Sequence, residues 1–319
     1  MTSDAARTED RSHPAPLRGY LFLLTATLFW GGAASIAKIL FTNNYDTLII
    51  IQTRSTLSFI LLVLFYLVRD RTVFRIPRRM LYKFAIVGVV GIALTNYTYY
   101  YTIRESSVAT AILIQNTAPV LVMLYSVVVS KAEAVNGLKI LSLALALVGC
   151  YVAVTGGATV GISIPALALF SGIASSFCFA FILVASKKVL KDYSVWTTLI
   201  YLFGFAALFW LVINPPWAIM SHGYSVRDWG IFLAFAIVSV LIPHSLFMTS
   251  MKYLQPTNAG ITSIMEPIFA ILIAYLVLGE KLTMVQTAGA CGVVAAILLL
   301  QVAPKMLRAV SATKLIQEL

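Results

Sequence analysis

The chain has 319 residues, of which 60% are hydrophobic and 11% are charged, and its mean hydropathy is +0.92. A soluble domain of this size carries about a quarter charged residues, so the composition excludes a soluble fold. The net charge is +11. Whether this charge indicates a nucleic-acid partner depends on where the basic residues lie.

Apolar runs long enough to cross a bilayer, about 20 residues each, occur ten times along the chain. Barrel strands would alternate polar and apolar residues over about ten positions, so these unbroken runs predict helices. We therefore predict an all-α integral membrane protein with ten transmembrane helices, near residues 17–40, 46–68, 82–103, 106–130, 136–155, 165–186, 194–213, 229–251, 257–278 and 283–302.

The spans divide the chain into two units with a tail at each end. Residues 1–16 are polar, lack an apolar core of their own and are predicted to be a disordered tail. Residues 17–156 and 165–302 are the two five-helix units. Residues 303–319 form a C-terminal tail, for which a short interfacial helix and a frayed end both remain open.

The basic residues predict the orientation of the chain. Only Arg104, Arg227 and Lys281 fall in the loops of one side. By the positive-inside rule the richer side is cytoplasmic, which places both termini in the cytoplasm. The charge then serves orientation and contact with anionic lipids, and we expect no nucleic-acid partner. The richer side carries Arg69, Arg71, Arg75, Arg78, Arg79, Lys83, Lys131, Lys139, Lys187, Lys188, Lys191 and Lys252.

The two five-span units are related by a faint internal repeat. The segments 111–120 and 259–268 share an alanine and a proline 148 residues apart. Because five is odd, the second unit enters the bilayer upside down relative to the first. Inverted repeats are typical of transporters that alternate access to a midplane site. The matched prolines Pro119 and Pro267 should loosen their helices and are predicted hinges, although proline is also common in membrane helices.

Polar residues deep in the spans are the candidate site, since polar side chains in hydrocarbon usually face a cavity or one another. Gln115 and Glu266 each lie roughly 14 Å deep at 1.5 Å per residue, near the midplane. Ser263 occupies the place of Gln115 in the second repeat, and Asn96 pairs with His244 at the same offset. We predict that these residues line the substrate pathway.

Two of these residues allow a structural reading as well. Glu266 is the only acidic residue deep in a span; it could bind a substrate amine or carry a proton, or satisfy groups freed by Pro267. His244 could be a pH-sensitive gate or a neutral ring bonded to a neighbouring helix.

Aromatic and basic residues extend this pathway. Tyr99 and Tyr100 share a helix face with Asn96, being three and four positions further on. They could line an aromatic passage or anchor the interface. Lys38 and Arg54 lie toward the outer ends of spans one and two, where they could snorkel to the interface or attract carboxylates at the outer mouth.

The sequence predicts no metal, cofactor or catalytic residue. Cys150, Cys178 and Cys291 lie in apolar spans without metal-type spacing. Small residues at four-residue spacing, such as Ala288 and Gly292, fit close helix packing within a monomer or across a dimer. We favour the monomer.

Three stretches resemble the drug/metabolite transporter superfamily, in its ten-span form with two EamA-type repeats. They are Phe29-Trp30-Gly31 followed by Lys38, the segment 264–270, and Leu278-Gly279-Glu280-Lys281-Leu282. Within the superfamily the chain is most similar to aromatic amino-acid exporters of the bacterial inner membrane. The halves differ, since Ala118 stands where the second repeat has Glu266, and Phe179 where the first has Trp30.

This resemblance implies export of aromatic and other neutral amino acids through a central cavity. Spans one to four and six to nine would move, with five and ten as support. The superfamily also leaves open proton-coupled drug or metabolite efflux and nucleotide-sugar exchange. A channel or a membrane enzyme is a more distant alternative, since neither a channel nor a receptor explains the repeat and no protease or acyltransferase motif is present.

Overall fold

A computed structural model describes residues 16–131, 135–157, 164–278 and 283–317. Within them, ten helices are long and apolar enough to cross a membrane. The predicted all-α fold of ten transmembrane helices in two inverted repeats is confirmed. The predicted tail 1–16 lies almost wholly outside the described residues, as does most of the Leu278–Leu282 stretch.

Four of the ten spans are interrupted helices, and six are continuous. Spans one and two are Pro16–Thr42 and Thr47–Arg69, and spans five, six, seven and ten are Gly137–Thr155, Ala166–Val189, Val195–Ile213 and Met284–Gln317. Span three comprises Leu81–Gly88, a π-helical turn Val89–Leu94 and Thr95–Glu105; span four comprises Val108–Gln115, Ala118–Tyr125 and a π-helical turn Ser126–Ser130. Span eight comprises Val226–Ala236, a π-helical turn Ile237–Leu241 and Ile242–Ser250; span nine comprises Pro256–Ser263 and Met265–Leu278.

Short polar residues begin several of these helices. Asp46, Ser107 and Ser194 each accept a hydrogen bond from a backbone N–H of the first turn. Ser225 does the same for span eight, and Asp228 completes the capping box by accepting from the Ser225 N–H over 2.8 Å. These caps satisfy N–H groups that the helix itself leaves free.

Most interruptions occur at the same places in the two repeats, the exception being the π-helical turn Ser126–Ser130 of span four, whose counterpart in span nine is α-helical. The π-helical turns of spans three and eight begin at Val89 and Ile237, which are 148 residues apart. The first halves of spans four and nine, Val108–Gln115 and Pro256–Ser263, keep that offset at both ends. Each of these two spans breaks just before its proline, because proline has no N–H to bond the preceding turn. The repeat is therefore preserved in backbone irregularity more clearly than in residue identity.

Spans five and ten pack closely against each other. A Cβ built on Gly149 would lie 2.8 Å from the Gly289 carbonyl oxygen and 3.0 Å from the Val293 nitrogen. Small residues thus let the two backbones approach within one chain. The last helix also runs on to Gln317, past the predicted end of span ten at residue 302.

Contacts at one end of the bundle join span two to the region around span eight. The Tyr45 hydroxyl donates to Asp228 Oδ1 over 2.5 Å, and this bond raises the pKa of Tyr45. Gln52 and Asn214 exchange two hydrogen bonds, from Gln52 Nε2 to the Asn214 carbonyl oxygen over 2.7 Å and from Asn214 Nδ2 to Gln52 Oε1 over 2.9 Å. By the predicted orientation this is the outer end.

Candidate substrate cavity

A cavity lies between the two repeats, where the interrupted spans meet spans one, two and six. The empty space is about 550 Å³, counting the solvent at its open side. Its lining is Trp30, Arg54, Gly91, Thr95, Asn96, Tyr99, Tyr100, Gln115, Phe179, Ile182, His244, Phe247 and Glu266.

Glu266 is half-buried in this cavity and is bonded across the repeats. The Tyr99 hydroxyl donates to Glu266 Oε1 over 3.0 Å, which links span three to span nine. The carboxylate thus has a side-chain partner, and among the described residues it makes no hydrogen bond to the backbone that Pro267 disrupts. Glu266 is the one acidic residue among the lining side chains.

Span one reaches this carboxylate closely because it carries Gly31. A Cβ at Gly31 would lie 2.8 Å from both the Glu266 carbonyl oxygen and the Ala270 nitrogen. Any larger residue would have to displace span nine. The glycine of the Phe29-Trp30-Gly31 motif therefore sets the distance between spans one and nine, and brings Trp30 to the cavity wall.

Asn96 and His244, matched by the repeat, make the same bond in the two halves. Asn96 Nδ2 donates to the Ile92 carbonyl oxygen over 2.7 Å, and His244 Nδ1 lies 3.0 Å from the Val240 carbonyl oxygen. Both carbonyls belong to the π-helical turns. Since a carbonyl can only accept, Nδ1 of His244 carries the proton. The bond lies within span eight, not to a neighbouring helix as one interpretation had it.

Arg54 is the residue that the sequence misplaced. We expected it to snorkel to the interface or line the outer mouth, but it is only 2% exposed and lines the central cavity. Its Nη2 donates to Asn96 Oδ1 over 3.1 Å and to the Ser239 carbonyl oxygen over 3.5 Å. An arginine eight residues into a span of 23 was the available signal, because an end-anchoring arginine usually lies nearer the last turn.

Aromatic rings form another wall of the cavity. Trp30 packs edge to face on Phe179 at 6.3 Å and on His244 at 5.4 Å, and lies 5.6 Å from Phe247. Trp30 and Phe179, which occupy equivalent positions in spans one and six, thus pack in one cluster. The sequence predicts neither Phe179 nor Phe247 as a lining residue, because neither is polar.

The remaining predicted residues divide between the cavity and its supports. Gln115 lines the cavity and donates from Nε2 to Ser175 Oγ over 3.2 Å, and Tyr100 lines it too. Ser263 is 1% exposed, bonds to the Ala259 carbonyl oxygen and is outside the lining. Lys38 also lies outside it; its Nζ donates to the Ile103 carbonyl oxygen over 3.4 Å.

The predicted hinges Pro119 and Pro267 are buried just after the helix breaks. Pro119 lies against span nine, since a Cβ at Gly260 would be 3.2 Å from the Pro119 Cβ. Their gating role stays a prediction. Among the described residues, no group of three His, Cys, Asp or Glu is placed to hold a metal ion.

Ten apolar helices in two inverted repeats, with a polar and aromatic cavity where they meet, define a membrane transporter. A family model described as the EamA-like transporter family matches residues 17–155 and 166–302. The chain belongs to this family, within the drug/metabolite transporter superfamily.

Individual relatives agree with this assignment. The chain is 25% identical over 290 residues to an uncharacterized inner membrane transporter, YicL, of Salmonella typhimurium strain LT2, covering 89% of this chain and 95% of that one. It is 25% identical over 280 residues to the threonine/homoserine exporter RhtA of Escherichia coli strain K12, covering 86% and 88%. A solved crystal structure shares the fold with a TM-score of 0.70, at 17% identity, over 89% of this chain and 97% of that chain.

Proposed function

We propose that this transporter exports aromatic and other neutral amino acids from the cytoplasm, through the central cavity and by alternating access. The observation that carries the proposal is the composition of that cavity. A carboxylate, Glu266, faces the same space as the rings of Trp30, Phe179 and Phe247. An amino acid needs both a partner for its ammonium group and a surface for its side chain.

The aromatic cluster suits the side chain of the substrate. Aromatic pairs with ring centroids 4.5–7 Å apart gain about 0.5–1.5 kcal/mol beyond the burial of area, and an apolar pocket also accepts aliphatic side chains. The name of RhtA refers to threonine and homoserine, which are neutral amino acids too. We therefore assign a range of neutral amino acids rather than one.

The matched breaks in spans four and nine are the proposed hinges of the transport cycle. Proline has no N–H, so at each break a carbonyl one turn earlier loses its helical partner. Rocking one repeat against the other about Pro119 and Pro267 would open the cavity to each side in turn. The orientation with both termini in the cytoplasm, the bacterial inner membrane as location, and a monomeric state belong to this proposal, as does the absence of a catalytic role.

Uptake of labelled phenylalanine, tyrosine, tryptophan, threonine and homoserine into liposomes containing the purified protein tests the proposal. We expect at least one of them to move about tenfold faster than into empty liposomes. If none moves faster than into empty liposomes, the amino-acid assignment is wrong.

Proton coupling is a second candidate property, favoured because Glu266 is the one carboxylate of the lining. An imposed pH gradient should then drive accumulation, and Glu266→Gln should abolish the drive. Glu105→Gln is the matched control, since Glu105 lies at the end of span three, outside the cavity lining, and accepts a hydrogen bond from Arg104. Unchanged coupling in Glu266→Gln would remove Glu266 from this role.

A further inference from the structure

Arg54 is buried in the membrane-spanning part of the protein, and three of its five N–H groups, those of Nε and Nη1, have no hydrogen-bond partner in the described structure. It is 2% exposed, and its Nε and Nη1 are buried without a hydrogen-bond partner in the described structure. Only Nη2 is engaged, by the neutral Asn96 amide and the Ser239 carbonyl oxygen. Burying a charged guanidinium with unbonded N–H groups costs free energy unless an anion accepts their hydrogen bonds.

The surroundings of Arg54 stabilise its charge but do not bond the N–H groups of Nε and Nη1. Its Cζ lies 4.5 Å from the centroid of the Tyr100 ring and 4.9 Å from that of Phe235. These rings interact with the faces of the guanidinium plane. Hydrogen bonds leave a guanidinium in its plane, so two ring faces do not satisfy the N–H groups of Nε and Nη1.

The acidic residue of the cavity does not neutralise Arg54. Glu266 accepts its hydrogen bond from Tyr99, and no ion pair joins Arg54 to Glu266, both of which are described. The cavity thus presents a cation and an anion that are separately held. Such an arrangement fits a ligand that carries both charges itself.

We propose that Arg54 is the carboxylate-binding residue of the cavity, with Glu266 as the partner of the ammonium group, so that the site recognises zwitterionic α-amino acids. The inference rests on the proposed amino-acid export and names the group by which the substrate is selected. A carboxylate can accept charge-assisted hydrogen bonds from the Arg54 N–H groups that have no partner, and such bonds are about twice as strong as neutral ones. Asn96 holds the guanidinium from its other side.

A counterflow competition assay tests recognition of the substrate carboxylate and of its ammonium group separately. Liposomes carrying the wild-type protein are loaded with phenylalanine, and entry of labelled phenylalanine is measured in the presence of an unlabelled competitor. The competitors are phenylalanine itself, phenethylamine, which lacks the carboxylate, and 3-phenylpropionate, which lacks the ammonium group. We expect phenethylamine to compete about 10–100-fold more weakly than phenylalanine. In Arg54→Gln, competition by phenylalanine should fall to the level of phenethylamine, and competition by phenethylamine should be unchanged.

Two further variants serve as controls for misfolding of Arg54→Gln. Arg54→Lys keeps the charge but loses the planar fork, so it should retain part of the preference for a carboxylate. Arg104→Gln removes an exposed arginine that bonds to Glu105 and should behave as wild type. Equal competition by phenylalanine and phenethylamine in the wild type, or an equal loss of both in Arg54→Gln, would overturn the assignment.

A thermal-unfolding assay distinguishes this failure from failure of the proposed export. If wild-type liposomes move no amino acid, the export proposal is wrong, and the carboxylate site is then tested by stabilisation alone. Millimolar 3-phenylpropionate should raise the melting temperature of wild-type protein and not that of Arg54→Gln, whereas phenethylamine should not distinguish the two. No difference between the two proteins with 3-phenylpropionate would contradict a carboxylate site at Arg54.

Discussion

Asn96 accepts a hydrogen bond from Arg54 on one side of its amide and donates one to its own helix on the other. Its Oδ1 lies 3.1 Å from Arg54 Nη2, and its Nδ2 lies 2.7 Å from the Ile92 carbonyl oxygen. The second bond fixes which way the amide points, because only Nδ2 can donate to a carbonyl. The π-helical turn of span three thereby orients the guanidinium of span two.

Replacing Asn96 by aspartate should therefore impair transport. The new carboxylate would lie at hydrogen-bonding distance from Arg54 Nη2 and would neutralise the guanidinium, which weakens its attraction for a substrate carboxylate. We expect kcat/KM for phenylalanine in liposomes to fall by about tenfold or more, as for the loss of a charge-assisted bond. Asn43→Asp adds the same charge at an exposed residue and should leave kcat/KM unchanged. Wild-type transport by Asn96→Asp would exclude Arg54 from substrate binding.

The bond between Tyr99 and Glu266 predicts a smaller effect. Tyr99→Phe removes a donor to a carboxylate, a bond typically worth about 1.5–3 kcal/mol. Because a substrate ammonium can take over that carboxylate, we expect a change in KM of about three- to tenfold and little change in expression. Tyr101→Phe is the control, since Tyr101 is in the same helix and contacts Tyr97 and Arg104 through its ring. Equal KM values for the two variants would show that Tyr99 does not hold Glu266 for the substrate.

The contact of Gly31 with span nine predicts a difference between neighbouring glycines. Gly31→Ala places a methyl group 2.8 Å from backbone atoms of Glu266 and Ala270, and such overpacking costs about 1–3 kcal/mol. Gly32→Ala meets only the end of Ile273 at 3.4 Å. In detergent, the melting temperature and the transport rate should both fall for Gly31→Ala and stay near wild type for Gly32→Ala. The reverse order would mean that span one does not approach span nine at Gly31.

Cysteine labelling tests whether the cavity is reached from water. In a protein with Cys150, Cys178 and Cys291 replaced by alanine, Gln115→Cys should react with a small charged thiol reagent. Phenylalanine should slow that reaction. Ser142→Cys should not react, because Ser142 is fully buried and lies outside the cavity lining. A Gln115→Cys protein that reacts no faster than Ser142→Cys would mean that the cavity is closed to water throughout the cycle.

Span positions could be predicted from the sequence because hydrophobic length alone decides them. The 148-residue offset between the repeats also selected Asn96, His244, Gln115 and Glu266, all of which line the cavity. That success has a physical cause: the repeats place equivalent residues at equivalent depths, and polar groups at that depth need a cavity.

Other features of the site were beyond the sequence. The direction in which Arg54 points depends on the rotation of span two about its axis. Span two carries apolar residues on every side, so its sequence does not specify that rotation. Ser263 failed to reach the lining for a similar reason, since its hydroxyl bonds back to Ala259 within its own helix. The π-helical turns have no residue signature, and only the comparison of the two repeats makes their positions recognisable.

The most direct test of a substrate held between Arg54 and Glu266 is an anomalous-difference map of crystals grown with 4-iodophenylalanine. We predict one iodine peak beside Trp30, Phe179 and Phe247. The carboxylate should lie within hydrogen-bonding distance of Arg54 Nε or Nη1, and the ammonium group next to the Glu266 carboxylate. An iodine peak outside this cavity, or a ligand whose carboxylate points away from Arg54, would contradict it.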